Sequence, residues 1–391
     1  MRVIAVTQAV PHPFGDTAAK WSFVLIRELL KRGHEVVSLT AGADPSARVR
    51  EAEHLLRQTG ADGRLKFIYR PLQPSCSYLA RKLHSIREPY SEFLRDREFM
   101  AELRRALAGG YEVLHLEQLF TGWVGLGIPR TLLNIHHFEI IDWEKRQQVT
   151  MGQRKNLLQM SRATTQIVQR SHNMRMFSPR LLEKARTINP TARYWVLPFA
   201  LDMSLYPLAP MVEAPVLGLI GSMHWLPSRS AGERLLTRIW PLVKHRVPKA
   251  KLFVAGWNAG KYLGKYLPLP DVEIAENLSH PSDFFSRVAV LAYAPSRGSG
   301  MKIKILESMA YGVPVVTTWE GVEGLDYENG VHCWVDEEDS VLAEKISVLL
   351  DDRQARKCMR ETARSLIDQR YSARPVVNRM MEVYSIIVED K

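Results

Sequence analysis

Arg297 to Thr318, RGSGMKIKILESMAYGVPVVTT, packs a glycine turn, a helix bearing one carboxylate and a strand into 22 residues. Gly298 and Gly300 predict a tight turn with close backbone approach. The amides that follow open a helix whose positive end suits hydroxyl or phosphate oxygens. Ile303, Ile305, Leu306, Met309 and Ala310 supply the buried side of that helix, and Glu307 sits in its second turn. Gly312 stops it, and Val313 to Thr318 reads as a short buried strand. Taken alone, the segment also fits an ordinary helix-to-strand corner of an α/β domain, because glycine turns are common.

The same alternation extends along the whole chain. Strands are predicted at Arg2 to Thr7, His34 to Thr40, Lys66 to Tyr69, Val113 to Leu116, Thr131 to Ile135, Met174 to Phe177 and Tyr194 to Leu197. Helices are expected at 16–31, at 79–108 with a break at Pro89, after Phe138, and at 179–187. The strip from Pro198 to Glu213, with Pro198, Pro207 and Pro210, reads as a linker. A second series offers strands at Val216 to Ile220, Lys251 to Ala255, Val272 to Ala275, Val288 to Tyr293, Val313 to Thr318 and His332 to Val335, with three helices after Ser340. Strands alternating with helices form parallel sheets covered by helices. The expected fold is α/β, with two Rossmann-like parallel-sheet domains facing across a cleft: 1–205, 206–375, and a C-terminal helix at 376–391 packing back on the first domain.

Length and composition agree, since 391 residues suffice for two cores, and 46% apolar with 24% charged residues is ordinary globular usage. No stretch of about 18 residues is free of charge and apolar throughout, so no transmembrane helix is expected. MRVIAVTQAV is broken by Pro11 and Pro13 and lacks the long apolar run of a secretion signal, which points to the cytoplasm. Cys76, Cys333 and Cys358 are odd in number and far apart, against a disulfide framework or a zinc site.

The net charge is +11, and Lys145, Arg146, Arg154, Lys155, Arg162, Arg170, Arg175 and Arg180 follow one another without an acidic residue between. Such a run is either a solvated helix face or a basic surface for an anionic partner, acidic headgroups or a phosphate-bearing acceptor. Nucleic acid is not expected, as no helix-turn-helix, zinc-finger spacing or ribonucleoprotein-type aromatic strand is found.

In open parallel sheets ligands bind beyond the carboxyl ends of strands. Four turns there stand out. PHPFGD, Pro11 to Asp16, offers Gly15 at the start of a helix with Asp16 as its cap, and it is not a dinucleotide fingerprint. NIHHFE, Asn134 to Glu139, carries two histidines suited to donate a hydrogen bond or shuttle a proton, but neighbours on a strand point to opposite sides. GSMHW, Gly221 to Trp225, offers amides and the nearby Arg229 to a pyrophosphate, although Arg229 is equally plain surface charge. The opening segment is the fourth.

These residues together carry a resemblance. FGDTAAKWSFVLIRELLKRGHEV, LNIHHFE, LPFALD, GLIGSMHWLPS, GSGMKIKILESMAYGVPVVTT and GVEGL follow in the order and spacing of the GT-B fold glycosyltransferases. The chain resembles the retaining family 4, or group 1, and within it the bacterial sugar transferases of exopolysaccharide-type pathways. The resemblance implies a metal-independent enzyme that uses no cofactor. It would move a hexose-type sugar from a UDP- or GDP-sugar to the hydroxyl of a saccharide or lipid-linked acceptor, at the inner face of the membrane or in the cytoplasm. Gly15 would approach the donor or acceptor, and His136 would stand beside the transferred sugar. Glu307 would accept hydrogen bonds from the ribose. Ser299, Gly300 and Met301 would contribute to sugar or phosphate binding, together with Gly221. Arg229, Arg297, Lys302 and Lys304 are the cations available to a leaving diphosphate, and the sequence leaves open which of them turns inward.

Two departures matter. Many members carry a second glutamate where this chain has Ser299, and the interdomain Asn-Gly-Val-Asp appears as Phe199, Ala200, Leu201 and Asp202. Two other readings stay open: a nucleotide-sugar epimerase, which shares the fold, and a non-catalytic nucleotide-sugar-binding partner subunit, which Ser299 motivates.

Overall fold

A computed structural model describes residues 1–59, 63–71, 87–143, 150–276, 278 and 280–389. The predicted Cys76, Lys145, Arg146 and the helix start at 79–86 lie outside them. The chain divides into two compact units, Met1–Ala200 with Ala373–Lys391, and Leu201–Ser372. Each is a parallel sheet flanked by helices.

The first unit has seven strands: β1 Arg2–Thr7, β2 Glu35–Gly42, β3 Leu65–Pro71, β4 Val113–Glu117, β5 Thr131–Ile135, β6 Asn173–Met176 and β7 Arg193–Val196. Their spatial order is β3-β2-β1-β4-β5-β6-β7, all parallel. Ile4, Val6, Leu39, Leu114, Leu133 and Met174 are sealed in its core. Helices cover both faces, so these strands are apolar runs with little alternation, as buried parallel strands require. Helix Thr17–Lys31 starts where Asp16 accepts the amide of Ala19 at 2.8 Å, the predicted cap. The expected helix after Phe138 appears as Glu139–Trp143 and Met151–Arg170.

The last helix, Ala373–Glu389, belongs to this unit. Val376, Met380, Val383, Tyr384 and Ile387 recur at helical spacing and form its buried side. Arg32, the C-cap of helix Thr17–Lys31, donates to Asn378 Oδ1 at 2.9 Å and ties the two helices together.

The second unit has β8 Val216–Ile220, β9 Lys251–Ala255, β10 Val272–Ala275, β11 Val290–Tyr293, β12 Val315–Thr317 and β13 Trp334–Val335, in the order β10-β9-β8-β11-β12-β13 and again parallel. Helix Ile303–Tyr311 ends at Gly312, whose φ of 75° is the left-handed cap that glycine takes without steric cost. Every strand predicted from the sequence is present.

The boundary between the two units, Ala200 to Leu201, falls inside the strip 198–213 that the sequence reads as a linker, and part of that strip is buried. Phe199, Ala200 and Leu201 are fully or almost fully buried, as are Tyr206 and Ala209. Ala209 donates to Tyr311 O at 2.9 Å, and Arg360 Nη2 donates back to Ala209 O at 2.6 Å. Phe199, Leu201, Tyr206 and Ala209 are thus packed, while Leu208 stays 53% exposed.

Candidate functional site

In the second unit the strand order reverses between β8 and β11, the place where open α/β sheets leave a crevice. The turn Gly221–Trp225 leaves β8, and the glycine segment leaves β11 and runs into helix Ile303–Tyr311. Lys304 joins them: its Nζ donates to Ser228 Oγ at 2.7 Å and lies 4.2 Å above the Tyr293 ring. A side chain at Gly221 would meet that ammonium and Ser228 Oγ at 2.8 Å each, so the glycine makes room for both.

The other three predicted cations lie differently. Lys302 is enclosed, donating to Gly300 O at 2.5 Å and 3.4 Å from Glu323. Arg229 packs 3.8 Å over the Tyr262 ring and donates to the carbonyls of Met223 and His224, which fastens the turn after β8. Arg297 is half-buried, 3.7 Å from Glu320. Ser299 and Met301 are buried, and Gly300 has a φ of +74° that only glycine adopts freely.

Glu307 is only 6% exposed and accepts a hydrogen bond from Tyr206 Oη at 3.1 Å. Burial first, and then the Glu307 charge, push the Tyr206 phenol well above its ordinary value. The phenol is therefore protonated and donates, leaving the carboxylate's remaining lone pairs for other donors. Tyr206 was not foreseen, because it stands in the proline strip, and nothing local to it announces a partner 101 positions away.

In the first unit the predicted residues follow different strands. Gly15 lies after β1; its amide bonds His12 O at 3.3 Å, and a side chain there would meet Ala19 Cβ at 2.4 Å. His136 follows β5 and is 6% exposed, with Phe177 edge-on at 4.7 Å. His137 points elsewhere, half-buried and 3.7 Å from Glu139, as expected for adjacent residues.

Around His136 the structure assembles a polar cluster that sequence reasoning missed. Register explains it: Glu117 on β4 is level with Asn134 on β5, which is level with Arg175 on β6. Arg175 is fully buried, donates to Asn134 Oδ1, Leu197 O and Pro198 O at 3.1, 3.1 and 2.6 Å, and lies 4.0 Å from the Trp21 ring. Asn134 Nδ2 donates to Glu117 Oε1 at 2.6 Å, and His136 Nε2 meets the same oxygen in a very short contact. His115 Nε2 lies 2.9 Å from Glu117 Oε2, and its Nδ1 lies 2.9 Å from Tyr384 Oη on the last helix. Burial pushes the Glu117 carboxyl up, but its close contacts with His136 and His115 outweigh it and hold the carboxyl well below its usual range. The available signal was polar His115 and Glu117 at period two within a buried strand.

Arg175 also corrects the basic run: it belongs to this buried cluster, not to a surface. Arg154, Lys155, Arg162 and Arg170 are exposed, and Arg180 is half-buried. Cys333 is buried, which raises its thiol to about 12, while Cys358 is exposed. Among the described residues no group of three or more His, Cys, Asp or Glu could hold a metal ion. Among them, too, no helix is long and apolar enough to cross a membrane.

A search of curated protein sequences finds no match. Among solved structures, the chain is similar to sucrose-phosphate synthase from Thermosynechococcus elongatus (TM-score 0.74, 14% identity, all of both chains covered). It is also similar to Anabaena HepE in complex with UDP and glucose (TM-score 0.68, 16% identity, 99% of this chain and 100% of that one). WaaG, a glycosyltransferase involved in lipopolysaccharide biosynthesis, has a TM-score of 0.63 at 16% identity over 98% of this chain and 99% of its own. At these identities the likeness is one of fold, and it is the GT-B architecture of two parallel-sheet domains. Residues 214–352 match the family model for glycosyl transferases group 1, a span that includes the turn after β8, Lys304 and Glu307.

Proposed function

We propose that the protein is a retaining glycosyltransferase that moves a hexose-type sugar from UDP- or GDP-sugar to an acceptor hydroxyl in polysaccharide or glycolipid biosynthesis. One observation carries the reading: within the span that matches group 1, Lys304 and the turn at Gly221 meet at the strand-order reversal, while Glu307, accepting a hydrogen bond from Tyr206, stands on the same helix as Lys304. A cation beside backbone amides suits a diphosphate, and an oriented carboxylate suits the vicinal hydroxyls of a ribose. HepE is known with UDP-glucose, which makes a hexosyl donor the natural first substrate to try.

In this reading negative charge grows on the leaving diphosphate, and Lys304 with the amides of the Gly221 and Gly300 turns stabilises it. Arg229 shapes the first turn, Lys302 and Met301 shape the second, and Arg297 stands at its entrance. No metal or other cofactor takes part. Ser299 replaces a carboxylate that would grip the sugar, so sugar selection falls to its hydroxyl and the neighbouring amides. His136 and Gly15 serve the sugar and acceptor side.

The acceptor is a saccharide or a lipid-linked saccharide handled in the cytoplasm, at the inner face of the membrane. Support comes from helix Met151–Arg170, where Met151 and Leu158, 82% and 73% exposed, share one side with Arg154, Lys155 and Arg162. Apolar tips set among cations fit an anionic lipid surface.

The test is release of nucleoside diphosphate and product formation from a panel of UDP- and GDP-hexoses, with and without membrane lipid extract. Turnover that requires acceptor supports transfer. Conversion of the free nucleotide sugar to its epimer would replace this reading, and binding with neither transfer nor slow hydrolysis would make the protein a non-catalytic partner subunit.

A further inference from the structure

We propose that Glu117 is a positioning residue that fixes His136 as the Nε2–H tautomer, so that His136 offers an unprotonated Nδ1, a hydrogen-bond acceptor, to a substrate hydroxyl. The hydrogen-bond chain fixes each atom in turn. Arg175 can only donate, so the Asn134 atom it meets at 3.1 Å is the carbonyl oxygen. The Asn134 amide nitrogen therefore faces Glu117 Oε1, 2.6 Å away, and donates to it. The nitrogen also lies 3.2 Å from His136 Nε2, but its two protons diverge while the two acceptors lie side by side, so one proton faces both, and Glu117 is the nearer and charged acceptor.

Charge settles the rest. The cluster buries one guanidinium, Arg175, and one carboxylate, Glu117, which balance. Protonating either imidazole as well would leave a net buried charge, so both are neutral. An ionised carboxylate has no proton to give, so the His136 Nε2 and His115 Nε2 that touch it must each carry one. His115 Nδ1 is then bare and accepts from Tyr384 Oη at 2.9 Å. His136 Nδ1 is likewise bare, but it has no hydrogen bond to any described residue and is not among the sealed, unpartnered atoms. Among the described residues the groups that face the pair are Tyr384 from the last helix, Arg175 from β6, Asn134 from β5, and the Trp21 and Phe177 rings, with the exposed Arg379 on the last helix acting on Arg175.

A histidine locked this way can receive a hydroxyl proton but cannot donate one from the same nitrogen. That polarity suits an acceptor hydroxyl, or a sugar hydroxyl that must be oriented. The identity of that hydroxyl rests on the proposed transferase reading; the tautomer does not.

The experiment therefore has two arms. The first is long-range ¹⁵N–¹H correlation of the histidine rings in the full-length protein near neutral pH, without substrate. It should show His136 and His115 with protonated Nε2 and bare Nδ1, and His136 shifting toward a tautomer mixture in Glu117→Gln. A His136 that carries its proton on Nδ1, or on both nitrogens, in the wild type overturns the proposal. Should Glu117→Gln fail to fold, the wild-type spectrum alone decides.

The second arm is kinetic. Glu117→Gln should lower kcat by about tenfold, the worth of one hydrogen bond, with the donor KM unchanged. Loss of donor affinity with kcat intact would overturn the positioning role. If the wild type transfers no sugar at all, the transferase reading fails while the tautomer result still stands or falls by itself.

Discussion

Replacing Arg175 by Met keeps the volume of a fully buried side chain but removes its charge, its three hydrogen bonds and its place 4.0 Å from Trp21 and 4.2 Å from Phe177. Burial and the opposing pull of Glu117 leave the guanidinium at about 9, so it is charged at pH 7, and its loss leaves the Glu117 carboxylate buried with its hydrogen bonds from Asn134, His115 and His136 but without a balancing cation. Removing one partner of a buried pair costs about 3–5 kcal/mol. Met still fills the space, so no cavity is added, and we expect about 4 kcal/mol in the first unit. For a unit of this size that lowers the melting temperature by roughly 8–16 °C. Differential scanning calorimetry resolves the loss from the second unit, which should melt unchanged. Adding Glu117→Gln removes the stranded charge, so the double variant should be more stable than Arg175→Met alone. A loss below about 1 kcal/mol, or a double variant less stable than the single one, would refute the view that the cluster is a balanced charge pair.

Glu117 also predicts an acid limb. Its folded pKa is lowered to about 2, so its contribution is present above the unfolded carboxylate value and is lost as pH falls from about 4.5 to 2; a pH series of melting curves should show this, and Glu117→Gln should flatten it. Gly221→Ala is strained, because Gly221 has a φ of +158° and its methyl would meet the ends of Lys304 and Ser228 at 2.8 Å, so circular dichroism first checks that it folds. By displacing Lys304 it should weaken nucleoside diphosphate binding about tenfold by calorimetric titration; unchanged affinity would remove Lys304 from the site. Triple replacement of Arg154, Lys155 and Arg162 by Glu should abolish sedimentation with phosphatidylserine vesicles at low salt and leave neutral vesicles unaffected; equal binding by both proteins would rule out the helix as the membrane contact.

The fold was legible because it rests on local patterns. Each strand is a short apolar run closed by glycine, proline or a polar turn, and the caps at Asp16 and Gly312 are written in single residues. Gly221, Lys304 and Glu307 could be singled out from sequence because the turns that leave β8 and β11 contain the first and lead into the helix that bears the other two. What escaped depends on register and distance. Arg175 counted as one more cation in a basic run until pairing with β5 placed it level with Asn134 and Glu117. Tyr384 reaches His115 across 269 positions, and Tyr206 reaches Glu307 from a strip whose prolines suggested solvent. The choice among four cations needed geometry too, because Lys302 and Lys304 sit two residues apart on either side of a helix start, with one tied to Gly300 and Glu323 and the other to Ser228.

The central claim, a nucleotide-sugar donor site at the β8–β11 reversal, is tested most directly by titrating UDP and GDP into the wild type and into Glu307→Ala, with circular dichroism confirming that the variant folds. One of the two nucleotides should bind the wild type with a single site and stabilise it by about 2.7 kcal/mol at a hundredfold excess over Kd. Glu307→Ala should lose that binding. Failure of both nucleotides to bind the wild type, or undiminished binding by Glu307→Ala, would contradict the account.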